Sequence, residues 1–225
     1  MPRLAGLFDS FDNLDQISPE AIASWLKPVP SLNQLENYLA NRILYPQVLP
    51  LTGQDMQIDL SILREALKAS IALTNARNGS KMNALLGDNP FLNITMRKIL
   101  IPVKFLNFAP NLLSLTFVFI DALLLNRKKE DWFQDLWTIV LTDDIDEVVG
   151  SLLLPQFDDK GGVMNLKLSG GNYEIRAGGL MVIPCPKDRC EIAYSLKKGK
   201  ILGHQESAIE VYGGKLGLVI DGRSG

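Results

Sequence analysis

The hydrophobic pattern of this chain changes period along its length, and neither an all-helical nor an all-β fold accommodates both halves of that change. In the first third, apolar side chains recur three and four positions apart. Leu32, Leu35 and Leu39 form one such stripe, and Leu60, Leu63, Leu67 and Ile71 form another, the spacing that lines one face of an α-helix. From Gln156 onward they alternate or fall in short β-prone runs. These are Val163–Leu168, Tyr173–Arg176, Leu180–Ile183, Glu191–Ser195, Ile209–Tyr212 and Leu216–Ile220, divided by glycine-bearing turns. The expected class is α+β, with a helical N-terminal part, a small α/β core and a C-terminal all-β barrel or sandwich module. The expected domains are 1–155 and 156–225, with the junction at Pro155–Gly162.

Local signals place the elements. Ser18-Pro19-Glu20 reads as an N-cap, a proline at the first helical position and an acid near the positive helix end. That helix carries Ile22, Trp25 and Leu26 and stops at Pro28. Ser31 with Gln34 makes a capping box for the next helix, which ends between Asn41 and Pro46. Thr52 and Asp55 open a long helix that Asn78-Gly79 is expected to close. Ile99–Leu106 reads as a strand, with Pro102 placing it on an edge or at a bulge. Leu112–Leu125 reads as a buried helix and Trp137–Thr142 as a strand. Asp143 or Asp144 is then expected to cap a last helix carrying Ile145, Val148, Val149 and Leu152–Leu154. Strand, helix, strand, helix predicts a right-handed crossover and a small parallel sheet.

Composition removes several functions. The 23 basic and 25 acidic residues leave a net charge of -2, without the basic surplus of a nucleic-acid binder. The apolar stretch Ile99–Leu125 is broken by Pro102, Lys104, Asn107, Pro110, Asn111 and Asp121, so no membrane span is expected. Two cysteines and one histidine, His204, fall short of the four ligands a zinc site usually needs. Neither metal nor cofactor is expected. Cys185 and Cys190 are expected as a thiol pair, with a disulfide left open by their spacing. The N-terminus has no secretory core, and the expected location is cytoplasmic.

The candidate binding residues are few. Asp121 interrupts the apolar run Phe117–Leu124, and charged side chains are rarely buried without a partner. A backbone group or Arg127 would serve as that partner. Asp143 and Asp144, with Asp146 and Glu147, are placed to ligate a hard cation, although a helix start is also where carboxylates belong electrostatically. Gly213 and Gly214 precede Lys215, but the spacing is not that of a phosphate loop, and a tight hairpin turn accounts for them. Asp221 and Arg223 are expected to pair with a ligand or with each other, as an exposed pair of small energetic weight. His204 sits in a β turn with no serine or cysteine motif around it, so no catalytic triad is legible.

Three stretches, in order, resemble the glutamate mutase L family. They are Trp25-Leu-Lys-Pro28 with Leu35–Pro50 and Leu63–Leu67; Phe108-Ala-Pro110 through Leu123 with Val149–Leu152; and Leu180–Pro184 with Val211–Arg223. Together they span most of the chain beyond residue 20, and the last is the most specific. The resemblance implies an actin-like ATPase fold, of which this chain would carry the later part. It also implies a role in assembling or reactivating a cobalamin-dependent mutase. The family's N-terminal Asp-x-Gly-Ser/Thr-Thr phosphate motif is missing here. Lys104-Phe-Leu-Asn107 stands where a second glycine-rich motif is expected. Glycine is what lets a backbone approach phosphate closely, so these departures argue against ATP binding by this chain alone. The function expected is that of a non-catalytic accessory protein that binds another protein, a separate ATPase half or a cobalamin-dependent mutase. Two alternatives stay open: a small-molecule site or enzyme near Asp121, Asp143 or Asp221, and a polymer-forming subunit.

Overall fold

The computed structural model describes residues 14–86, 97–125, 136–142, 146–168, 171–185, 188–201 and 203–223. The chain divides into two compact units, Met1–Leu92 with Lys104–Lys129, and Asn93–Val103 with Glu130–Gly225. Both helices and sheets are present, so the class is α+β. The segment Pro155–Gly162 lies inside the second unit.

The first unit is helical. Helix α1 (Pro19–Ala23) is capped by the Ser18 hydroxyl, which accepts from Ala21 N. It ends at Ala23, before Pro28, and Trp25 and Leu26 follow in a turn. Helix α2 (Leu32–Leu44) opens on the predicted capping box, Ser31 with Gln34. Its buried face holds Leu35 and Leu39, whereas Leu32 in the first turn is exposed. Helix α3 (Gly53–Leu86) starts at a reciprocal pair of bonds between Thr52 and Asp55. It runs through Asn78-Gly79, the expected stop, to Leu86. Ile58, Leu60, Ile62 and Leu63 are all buried, more than one helical stripe requires. The Ile71 side chain lies outside the described residues. Helix α4 (Leu112–Leu125) packs on α3 and is capped by Asn111, whose side-chain oxygen accepts from Ser114 N at 2.8 Å. Among the described residues no helix is long and apolar enough to cross a membrane.

The second unit is β. Its five-stranded sheet has the order β1–β2–β3–β11–β7, with β1 (Arg97–Pro102), β2 (Leu136–Thr142), β3 (Glu147–Leu153), β7 (Leu180–Ile183) and β11 (Gly217–Asp221). Strands β1 and β2 pair in parallel, and β1 lies at an edge, one of the two placements Pro102 allows. It ends at Pro102, and Val103–Phe108 is a 3-10 helix where the strand is expected to run to Leu106. The expected helix after β2 is instead β3, antiparallel to β2. Valines and leucines at 148, 149 and 152–154 fit a helical face as well as a strand. The strand wins because β2 and β11 flank it on both sides and bury Val149 to Leu153. The sheet is therefore mixed.

The four-stranded sheet has the order β10–β8–β5–β6, with β5 (Val163–Leu168), β6 (Gly171–Arg176), β8 (Arg189–Lys197) and β10 (Glu206–Tyr212), all antiparallel. Short strands β4 (Gln156–Phe157) and β9 (Gly199–Lys200) pair separately. Leu153, Ile183, Leu218 and Ile220 from the larger sheet join Met164, Leu166, Ile192 and Leu196 from the smaller in one buried cluster. The two sheets thus share a core, and both keep open edges among the described strands. No closed barrel forms.

The expected hairpin at Gly213-Gly214 is a crossing between sheets, because β10 belongs to the smaller sheet and β11 to the larger. Ser151 makes the corner: its hydroxyl donates to the Tyr212 carbonyl and accepts from the Tyr212 N–H, each at 2.9 Å. Gly150 and Gly217 then face each other across the β3–β11 ladder. A Cβ on Gly150 would lie 2.2 Å from the Gly217 carbonyl oxygen. Gly217 itself has a φ of +79°, and its Cβ would lie 2.4 Å from the Ile183 oxygen. Alanine at either position has to displace backbone in the centre of the sheet. Gly150→Ala and Gly217→Ala are each expected to lower the unfolding free energy by at least about 2 kcal/mol in urea denaturation. Gly178→Ala, with φ +83° and open space around it, is expected to cost about 1 kcal/mol.

Candidate functional site

The sequence candidates do not converge. Asp121 lies in the helical unit, and Gly213, Gly214, Asp221 and Arg223 in the β unit. Asp143 and Asp144 lie outside the described residues, so the cation-ligand reading weighed for them has no described counterpart. Among the described residues no group of three or more His, Cys, Asp or Glu side chains is placed to hold a metal ion.

Asp121 is buried on α4, and its Oδ2 accepts from Arg64 Nε of α3 at 2.8 Å. The described partner is therefore Arg64, while Arg127 falls outside the described residues. Arg64 also lies over the Trp25 ring, 5.1 Å from its centroid, and Trp25 Nε1 donates to Glu65 at 2.7 Å. This network ties the turn after α1 to α3 and α4. A helix-to-helix tether explains the aspartate without a ligand.

Gly214 has a φ of +130°, and its Cβ would sit 3.0 Å from the Val149 backbone. Gly213 N donates to Asp188 O and Gly214 N to Cys185 O. Both glycines serve the crossing between the sheets. Asp221, at the far end of β11, is fully buried rather than exposed, since β3 and β7 enclose its strand. Arg223 closes over it, with Nη2 at 2.7 Å and backbone N at 2.9 Å from the carboxylate. Cys185 and Cys190 form a disulfide across the β7–β8 connection, with Cα atoms 6.7 Å apart. The expected free thiol pair is therefore replaced by a bond, which the five-residue separation and the packing of the β7–β8 connection allow. His204 exchanges backbone hydrogen bonds with Ile201 in a tight turn.

Among the described residues of the helical unit, Tyr38, Arg42 and Asp59 form a buried polar cluster that the sequence pattern did not single out. Tyr38 and Arg42 stand one turn apart on α2 and face Asp59 of α3. Arg42 is 4% exposed and Asp59 2%. Arg42 Nε reaches Asp59 Oδ1 at 2.8 Å and Nη2 reaches Oδ2 at 2.7 Å, a fork of two parallel bonds. Nη2 also donates to the Tyr38 hydroxyl at 2.8 Å, and that hydroxyl donates to Asp59 Oδ1 at 3.0 Å. Nη1 donates to the Val48 carbonyl. That last bond fixes the α2–α3 connector. A signal for this cluster was present, because Arg42 continues the Leu35, Leu39 spacing on the buried face of α2.

Electrostatics follow from the enclosure. Burial pushes the Asp59 carboxyl up to about 6, against the pull of Arg42 and the Tyr38 hydrogen bond. Burial, with the Asp59 charge adding to it, also raises the Tyr38 hydroxyl above the ordinary tyrosine range. Beside the cluster lies a groove of about 270 Å³. Its wall includes Tyr45, Val48, Leu49 and Leu51, all exposed, Leu51 at 90%. The arrangement offers an apolar surface on an anchored backbone, and its carboxylate and guanidinium are already committed to each other.

No family model, no curated protein and no solved structure matches this chain.

Arg42→Ala leaves Asp59 buried without its counter-charge and is expected to cost about 3–5 kcal/mol of stability in urea denaturation. The pH dependence has a definite sign. With the folded pKa near 6 and the unfolded value near about 4, the native state holds more protons than the unfolded state inside that window. The contribution of Asp59 therefore weakens as pH rises from about 4 to about 6 and is level above. The stability of wild type minus that of Asp59→Asn, from denaturation curves across that range, is expected to fall as pH rises.

Proposed function

We propose that this chain is a non-catalytic accessory protein that acts by binding another protein through the apolar face at the α2–α3 connector. The observation that carries the reading is the exposure of Leu44, Tyr45, Val48, Leu49 and Leu51 within one short segment. Single exposed apolar residues are ordinary on any surface. A cluster beside a groove marks an interaction site, because covering it removes apolar area from water at about 25 cal/mol per Å². The bond from Arg42 to Val48 holds the segment in place beforehand, which lowers the ordering cost of association.

The resemblance to the glutamate mutase L family supplies the class of partner. A separate actin-like ATPase half, or a cobalamin-dependent mutase that the chain helps to assemble or reactivate, fits a chain that keeps the family's later motifs without its phosphate motifs. Trp25–Pro28 and Leu35–Pro50, both in the first of the stretches that carry the resemblance, belong to the unit that bears this face.

The test is an affinity pull-down of the tagged chain from its native host, with bound proteins identified by mass spectrometry. Wild type is expected to recover an ATPase or a cobalamin-dependent mutase in near-equal amount. The double variant Leu49→Asp with Leu51→Asp is expected to lose it while melting within a few degrees of wild type, since both side chains are exposed. Equal recovery by the double variant, or ATP hydrolysis by the purified chain unaided, would sink the reading.

A further inference from the structure

We propose that β10, an open edge of the four-stranded sheet, is a docking strand for an extended basic peptide segment of another protein. The surface lies in the β unit and is independent of the apolar face just described.

The ladder geometry leaves β10 open. Among the described strands it pairs with β8 alone. In an antiparallel pair the residues alternate between those whose N–H and C=O both face the partner strand and those whose groups both face away. Gln205 O accepts from Leu196 of β8, whereas both backbone groups of Tyr212 turn to the Ser151 hydroxyl. Odd-numbered residues therefore face β8, and Glu206, Ala208, Glu210 and Tyr212 face outward. Ser151 occupies the Tyr212 position as an added strand would, which limits an incoming peptide to Glu206–Glu210.

The other described edges suit a basic peptide less well. Strand β1 carries Lys98 and Pro102, β7 has four residues, and β6, with neither lysine nor proline, carries a cation, Arg176, that repels such a peptide. Lysine and proline are the usual protection of an edge. Strand β10 has seven residues and neither of them.

Charge selects the occupant. Glu206 and Glu210 of β10 lie on the sheet face opposite buried Val211, and Glu191 of β8 stands directly opposite Glu210. Like charges so placed destabilise a sheet unless a cation comes between them. Arg189 supplies one, 3.0 Å from Glu210, on a side chain 58% exposed. Beyond Tyr212 lies a pocket walled by Asp146, Asp188 and Glu147, the last already paired with Lys215 at 2.8 Å, so Asp146 and Asp188 extend the negative surface there. A second copy of β10 fits poorly, since pairing centred on Ala208 sets Glu206 against Glu210. A peptide with lysine or arginine four residues apart places both cations over these glutamates while its backbone bonds to the edge.

The probe is a dye-labelled peptide of alternating valine and threonine with two lysines four residues apart, followed by fluorescence anisotropy on the full chain. It is expected to bind wild type more tightly than its glutamate-for-lysine twin and to weaken as salt rises. Glu206→Lys with Glu210→Lys is expected to reduce binding by about tenfold or more. Ala208→Pro, which removes an outward N–H and leaves the β8 ladder intact, is expected to do the same. Leu49→Asp with Leu51→Asp is expected to leave peptide binding unchanged, so this proposal and the pull-down fail separately. Equal binding of the two peptides, wild-type affinity in the charge-reversed variant, or no binding at about 1 mM would overturn it. Circular dichroism checks that each variant is folded, and the charge-reversed variant decides if the proline variant is not.

Discussion

The fork of bonds between Arg42 and Asp59 holds the candidate surface in place. Two charges taken this far out of water are costly unless the partner geometry is good and the remaining donors are satisfied. Here the remaining donors are the means of construction. After Asp59 takes Nε and one terminal nitrogen, the other terminal nitrogen binds the Val48 carbonyl, and Tyr38 completes the shell. The pair therefore joins α2 to α3 and fixes the connector between them in a single step. Val48, Leu49 and Leu51 are held at the surface because the backbone behind them is bonded inward.

A comparable economy of parts governs the β unit. The chain has to pass from the smaller sheet at Tyr212 to the centre of the larger sheet at Gly217 within a few residues. Ser151 replaces a neighbouring strand at the corner, glycines at 150 and 217 let backbones approach more closely than a Cβ allows, and Gly214 supplies a φ of +130°. Once that crossing is made, β11 is enclosed between β3 and β7, and Asp221 is buried with Arg223 folded over it. The same corner ends the open stretch of β10. The edge proposed for peptide docking and the crossing that closes the core are consequences of one turn.

Much of the element order was legible because it rests on local chemistry. The caps at Ser18, Ser31 and Thr52 are satisfied by side chains within three residues. The alternation of Val163–Leu168 matches a strand with one face buried. Leu112–Leu125 is apolar enough to be helical and inside. The errors came where a pattern fits two structures. Val148, Val149 and Leu152 suit a helix face or a fully buried strand, and only the flanking strands decide between them. Asn78-Gly79 resembles a helix stop, yet α3 continues past it. Gly213-Gly214 resembles a hairpin turn because sequence does not tell which sheet each neighbouring strand joins.

The sequence by itself determined that the chain is part helical and part β, where most elements begin, and that its charge balance lacks a nucleic-acid binder's basic surplus. These follow from periodicity, capping and composition, which act over a few residues. Tertiary structure alone decided which charges meet. Asp121 finds Arg64 across 57 positions, Arg42 finds Asp59 across 17, and Ser151 finds Tyr212 across 61. Partners at such separations are chosen by packing, and burial sets the energetic weight of each. A carboxylate that looks exposed in the sequence, such as Asp221, becomes a buried ion only when strands from distant parts of the chain close around it.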